Sequence, residues 1–321
     1  MAETDAALAA AADTAVHQCM GLQADESCAV VTDDERRRIG EVLYETAREV
    51  TDDAVLLQYP PGPQHGAEPP APVAAAMQRA DVVLAPTTKS LSHTRARSAA
   101  NEAGARVATL PGITEEVFVT GLDADYQAIR DECARVLDQV AGAEAIRVTS
   151  PQGTDVTIRP GAREWREDTG IVHEAGEMSN LPAGEVFVSP ETADGTYVVD
   201  GTMMPHGCLA PDQTLTFEVE DGYVTHVSDD AVREQVEAAA EEVGDAAFNL
   251  AELGIGTNVA VADLVGSVLL DEKAAGTVHL AIGDDHAIGG DVDAPLHLDG
   301  ILREPTVYAD GTEVTLPGAD G

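Results

Sequence analysis

Between residues 27 and 140, short apolar runs alternate with polar stretches of helical pattern. No other feature of the chain constrains its fold so strongly. The runs at 27–32 (SCAVVT), 54–59 (AVLLQY), 81–85 (DVVLA) and 106–110 (RVATL) are short and nearly continuous in their apolar character. Such runs read as strands buried on both faces, and helices between them make the sheet parallel and helix-covered. The helical stretches fall at 33–50, 73–79, 94–103 and 123–140, after an Ala-rich helix over 1–20 that Gly21 closes. Asp33 and Asp34 suit the positive end of the helix next to them. The segment from Pro60 to Pro72 is rich in proline and glycine and reads as a loop.

Past residue 142 the pattern changes. Residues 146–159 alternate around Gly153 as a hairpin does, and strand patterns recur at 185–190, 196–202, 214–228, 277–282 and 306–316. One helix, 230–243, interrupts them. The expected architecture is an α/β N-terminal domain with a parallel sheet, residues 1–142, followed by a β-rich α+β domain, residues 143–321. No internal repeat is visible.

Hydrophobic residues make up 44% of the chain but aromatic residues only 3%, so the core must be built from Val, Leu, Ile and Ala. Acids outnumber bases 58 to 18, for a net charge of −40, and only Lys89 and Lys273 are lysines. The acids are scattered rather than blocked, which describes a solvated coat on a folded body and not a disordered tail. Such a coat repels itself in dilute buffer, whereas at molar salt the screening length falls to about 3 Å. This is the composition of a halophilic protein in a salt-rich cytosol. It excludes nucleic acid as a partner, since phosphate contacts need a basic patch. Cys19, Cys28, Cys133 and Cys208 form no CxxC pair and read as free thiols of a reducing compartment. No basic leader precedes an apolar run, and no run is long enough for a membrane span, so a cytoplasmic location is expected.

The chemistry concentrates near the end. His279 lies in TVHLAI, where alternation reads as a half-buried strand with His279 opposite its apolar anchors. In His297-Leu298-Asp299 the imidazole and the carboxylate are two apart, hence on one face of a strand. Glu252 stands between apolar residues and glycines, where a lone acid needs a partner charge or a metal. Glu185 starts an apolar strand, a position that a surface acid could fill equally well. Gly254-Ile255-Gly256 lacks the full dinucleotide fingerprint, and no Walker A sequence occurs. His173, His206 and His226 read as structural. Lys89, Arg95, Arg97 and Arg106 form a basic island whose expected role is salt bridging, to Glu102 in particular.

Four segments, 90–113, NLPAGEVFVSP (180–190), AELGIGTN (251–258) and DEKAAGTVHLAIG (271–283), together with the later His-x-Asp pair, resemble the leucyl aminopeptidase family of the aminopeptidase T and S type. The resemblance implies a homodimer and a two-metal site of Zn, Co or Mn held by Glu185, Glu252, His279, His297 and Asp299. It implies a metalloaminopeptidase that hydrolyses peptides through a metal-activated water. Seven residues after the strand histidine, such peptidases carry a Tyr that stabilises the tetrahedral intermediate; here the position is His286, the expected catalytic residue. The alternative is a ring-cleaving dihydroxypyridine dioxygenase, which resembles the same family and uses one Fe(II). His279, His297 and Asp299 could supply its two-histidine, one-carboxylate triad. The presence of both Glu185 and Glu252 favours two metals, and five ligand-type residues argue against a binding protein without catalysis.

The melting temperature is expected to rise strongly between dilute buffer and molar KCl. One indifferent to salt would rule out the halophilic reading.

Overall fold

The computed structural model describes residues 2–318. The chain divides into two compact units, Met1–Arg130 with Thr169–Ala183, and Asp131–Asp168 with Gly184–Gly321.

The first unit is built on a five-stranded parallel sheet in the order Ala54–Tyr59, Cys28–Asp33, Val82–Thr87, Arg106–Pro111, Met178–Asn180. All six positions of Cys28–Asp33 and of Val82–Thr87 are buried, which is why these strands do not alternate in sequence. Ala54–Tyr59, on the edge, mixes buried and exposed positions. Val31, Val83 and Val107 from the strands pack with Val73, Met77, Ala96 and Ala100 from the helices Ala71–Met77 and Arg95–Glu102. The fifth strand comes from the NLP segment far along the chain and carries no apolar run that would mark it.

The opening helix is not uniform. Ala2–Asp13 is α-helical and Thr14–Cys19 widens to π-helical winding before Gly21. The helix Glu115–Leu122 escapes the hydrophobic pattern although its start is legible. The Thr114 hydroxyl accepts from Val117 N, and Glu115 and Glu116 stand in the first turn. The basic island is distributed differently from expectation. Arg106 makes a two-pronged pair with Glu26, 2.8 Å on each arm, and Arg95 pairs with Glu68 at 3.2 Å. Arg97 donates to the Ser92 carbonyl and to Asn101. Glu102 is exposed, and the partners of these three side chains are other residues.

The second unit holds two antiparallel seven-stranded sheets. One runs Tyr223–Val227, Leu215–Glu220, Thr192–Val199, Asp155–Arg159, Ile146–Thr149, Thr306–Ala309, Thr312–Glu313. Its Tyr197 and Phe217 are cross-strand partners, stacked with ring centroids 4.6 Å apart. The other runs Gly207–Cys208, Thr202–Met203, His297–Leu302, Val278–Gly283, Leu250–Gly256, Glu185–Val188, Arg166–Asp168. Helix Asp230–Val243 is capped by Asp229, whose carboxylate accepts from Val232 N. The strand Val278–Gly283 is buried along its whole length, so the half-buried reading of its alternation fails. A second layer covers the polar face as well as the apolar one.

Cys19, Cys28 and Cys133 are buried free thiols and Cys208 an exposed one. Among the described residues no helix is long and apolar enough to cross a membrane.

Glu26→Gln keeps the side-chain volume and removes the charged arm of the Arg106 pair. The expected cost at neutral pH is about 1–2 kcal/mol, since Glu26 retains some solvent contact. The Arg106 hydrogen bonds hold Glu26 below the usual carboxylate range. Its contribution is therefore complete above about pH 4.3 and is lost as the pH falls through the folded value. Urea denaturation of wild type and variant should converge in acid; a constant difference down to pH 2 would contradict this.

Candidate metal centre

The candidate residues meet on one face of the second antiparallel sheet, and the strand register puts them there. Glu185 pairs with Gly256, Gly254 with His279, Glu252 with Ala281, Ala281 with Asp299, and Gly283 with His297. Directly paired residues share a face, as do residues two apart on one strand. Glu185, Glu252, His279, His297 and Asp299 thus project to the same side, across four adjacent strands. The positions between them are small: Gly254, Gly256, Ala281 and Gly283. A Cβ at Gly254 would run into the His279 imidazole, and one at Gly256 into the Ala274 carbonyl. The two glycines that looked odd beside Glu252 are the space the neighbouring groups occupy. The register is regular from Glu252 to Ile255, and a bulge between Leu250 and Glu252 shifts only the pairing that precedes Glu252.

The ligand-type atoms form two groups that share Glu252: Glu185–Glu252–His279 and Glu252–His297–Asp299. His279 Nε2 lies 3.4 Å from Glu252 Oε1 and 3.5 Å from Glu185 Oε2. His297 Nε2 lies 3.3 Å from Glu252 Oε2 and 3.2 Å from Asp299 Oδ1. His297 Nδ1 donates to the Asp284 carbonyl at 2.7 Å, so in a neutral ring Nε2 carries the lone pair and aims it at two carboxylates. That arrangement is repulsive unless a positive centre stands among these atoms.

A proton or a metal ion can supply it. Burial opposes charge on both imidazoles, but the surrounding carboxylates outweigh it. They push His279 up to about 9 and His297 well above its ordinary value. Burial likewise acts to raise Glu252 and Asp299, and the imidazoles overcome it and hold both below the carboxylate range. Glu185 is raised by burial against the pull of Lys273. Its Oε2 is a buried atom without a hydrogen-bond partner, as is His279 Nδ1. A set of borderline imidazoles and hard carboxylates, short of positive charge, fits a divalent metal. The His297 side chain is 32% exposed while those of Glu185 and His279 are at most 9% exposed, so the centre opens to solvent at the His297 end.

Lys273 belongs to the site, although the sequence motifs did not single it out. Its Nζ lies 2.7 Å from Glu185 Oε1 and also contacts Glu272. A local signal exists, since it is one of two lysines in the chain, within DEKAAG. His286 is placed elsewhere. It is exposed at the start of the short 3-10 turn His286–Ile288 and lies outside both ligand groups. The neighbouring acids do not serve it. Asp285 is buried and accepts from Ser189, Asn249 and Val292 N, and Asp284 offers its carbonyl to His297. His173 and His206 bond to the Gln18 carbonyl and to Asp229, as structural histidines do.

The chain matches the profile of the NicX family, 2,5-dihydroxypyridine 5,6-dioxygenase, over residues 8–319. A 2,5-dihydroxypyridine 5,6-dioxygenase of Pseudomonas putida KT2440 is 25% identical over 256 residues, 76% of this chain and 71% of the relative. The solved structure of a 2,5-dihydroxypyridine dioxygenase from Pseudomonas putida KT2440 superposes with a TM-score of 0.78 at 21% identity, covering 98% of this chain and 96% of the other. Wild-type AmpT from Thermus thermophilus superposes with a TM-score of 0.66 at 18% identity, covering 97% of each chain. These findings overturn the hydrolase expectation: the family and the sequence relative are oxygenases, not peptidases. The aminopeptidase T resemblance holds at the level of the fold.

Glu252, common to both ligand groups, carries the clearest consequence. Glu252→Gln preserves volume and removes the charge, and is expected to lower bound metal per chain with the circular dichroism spectrum unchanged. Full metal retention would show that Glu252 is a structural acid.

Proposed function

The chain belongs to the 2,5-dihydroxypyridine 5,6-dioxygenase family, and from that premise we propose that it is a non-haem Fe(II) dioxygenase that opens a dihydroxylated pyridine ring with O2. The observation that carries the reading is the convergence of two imidazoles with carboxylates in one cluster that opens to solvent at His297. His279, His297 and a carboxylate from Asp299 make the donor set of a non-haem iron oxygenase. Bound there, Fe(II) would supply the place where O2 and the ring hydroxyl meet.

The chain's own residues do the rest. The Asp284 carbonyl fixes the His297 tautomer and turns Nε2 toward Glu252 and Asp299, where these side chains would hold the ion. Asp285, held by Ser189 and Asn249, anchors the loop that carries this carbonyl. Glu252 reaches both imidazoles and keeps them at one centre. Exposure at His297 leaves the ring a way in, and the sealed Glu185 end keeps bulk water from the opposite side. Both atoms of O2 enter the product as one ring carbon–carbon bond breaks, so no external reductant is needed. A peptidase would need an electrophile at position 286, and the imidazole there is exposed and apart from the ligand atoms.

Protein loaded anaerobically with Fe(II) in molar KCl should consume O2 in equal amount with the loss of 2,5-dihydroxypyridine. His297→Ala should lower the rate by at least about 100-fold, more than the loss of a ligand's orienting partner costs. Iron-bound protein that takes up no O2 with the dihydroxypyridine would sink the proposal.

A further inference from the structure

The two ligand groups that share Glu252 are the framework of a two-ion centre, whereas the oxygenase reading needs one ion. The difference between the groups is a lysine. In the Glu185–Glu252–His279 group, one oxygen of Glu185 is already taken by the Lys273 ammonium at 2.7 Å. In the Glu252–His297–Asp299 group, the charges facing the carboxylates are the imidazoles themselves.

We propose that the Lys273 ammonium is a built-in substitute for a second metal ion, which by pairing with Glu185 withdraws that carboxylate and limits the centre to one divalent ion. The inference rests on the single-iron reading above and names the residue that enforces it. On this account Glu185, which the sequence resemblance makes a ligand, is a counter-charge to Lys273.

The position of the ammonium is constructed by several elements. Lys273 is 3% exposed and comes just after the short helix Val268–Asp271. Asp271, fully buried, accepts from Thr202 Oγ1 and from the backbone of Val265 and Gly266, which fixes the start of the turn. The Lys273 carbonyl accepts from Asn258 N at 2.8 Å. Gly256 gives the room for this turn to lie against the strand, since a Cβ there would strike Ala274 and Lys273 backbone. The chain favours arginine for its positive charge and has two lysines in all. A compact ammonium imitates a spherical cation, where a planar guanidinium would not fit the same space.

Glu185, Glu252, Glu272 and Asp299 face one ammonium, which leaves three negative charges. One divalent ion leaves this cluster at −1 and a second would carry it to +1, so with Lys273 in place the second ion turns an anionic cluster cationic. With Lys273 neutralised by substitution, two divalent ions match the four carboxylates. Glu185 Oε2, buried and without a hydrogen-bond partner, is the atom to which the second ion would attach.

Metal-free protein in molar KCl is titrated with Mn(II) and separately with Zn(II), and bound ions are counted by equilibrium dialysis and elemental analysis. Wild type should saturate at one ion per chain and Lys273→Met at two. Glu185→Gln in the Lys273→Met background should return the count to one. Two ions in wild type, or one in a natively folded Lys273→Met, would overturn the proposal. Lys273→Met leaves two carboxylates unpaired and should melt lower without metal. Excess Mn(II) should then restore its melting temperature, and failure to do so also overturns the proposal. Mn(II) and Zn(II) are counted without substrate or O2. A wrong count therefore sinks this inference, while absent oxygen uptake by the iron form sinks the oxygenase reading.

Discussion

The centre of this protein depends on a repulsion that the chain alone cannot relieve. The His297 lone pair, fixed by the Asp284 carbonyl, points at Glu252 and Asp299, and His279 faces Glu252 and Glu185. Buried carboxylates and imidazoles at 3.2–3.5 Å are stable only around positive charge, from protons or from a metal. An apolar filling would stabilise the sheet as well or better, so stability does not account for the cluster.

A rigid antiparallel sheet is a suitable carrier for such a cluster. Four adjacent strands each place their ligand by register, and glycine or alanine at the intervening positions leaves the space into which the long side chains converge. The bulge between Leu250 and Glu252 interrupts this register only before the residue shared by both groups, whose face is set by its pairing with Ala281. Precision of this kind is easier to hold on strands than on loops. The loop after Val278–Gly283 still contributes, through a backbone carbonyl and the buried Asp285.

The comparison with AmpT shows how far a fold can be separated from a reaction. AmpT and a 2,5-dihydroxypyridine dioxygenase both superpose on this chain along nearly its full length. Ligand type alone is therefore a poor guide to the reaction.

The sequence by itself determined the parallel sheet of the first unit, because strands buried on both faces must be continuously apolar, as Cys28–Asp33 and Val82–Thr87 are. It determined the strand-rich character of the second half of the chain and marked Glu185, Glu252, His279, His297 and Asp299 by their resemblance to a metal-dependent family. It did not contain the strand Met178–Asn180, whose pairing with Arg106–Pro111 is a long-range backbone event without an apolar signal. Nor did it show that Leu250–Gly256 is a central strand, since two of its positions are glycines that local propensity disfavours. Only the tertiary structure decided that Gly254 makes room for His279, that pairing with Ala281 sets Glu252 on the same face, and that Lys273 reaches Glu185 across 88 positions of sequence. These are contacts between distant segments, fixed by register and packing, and no periodicity along one strand can encode them.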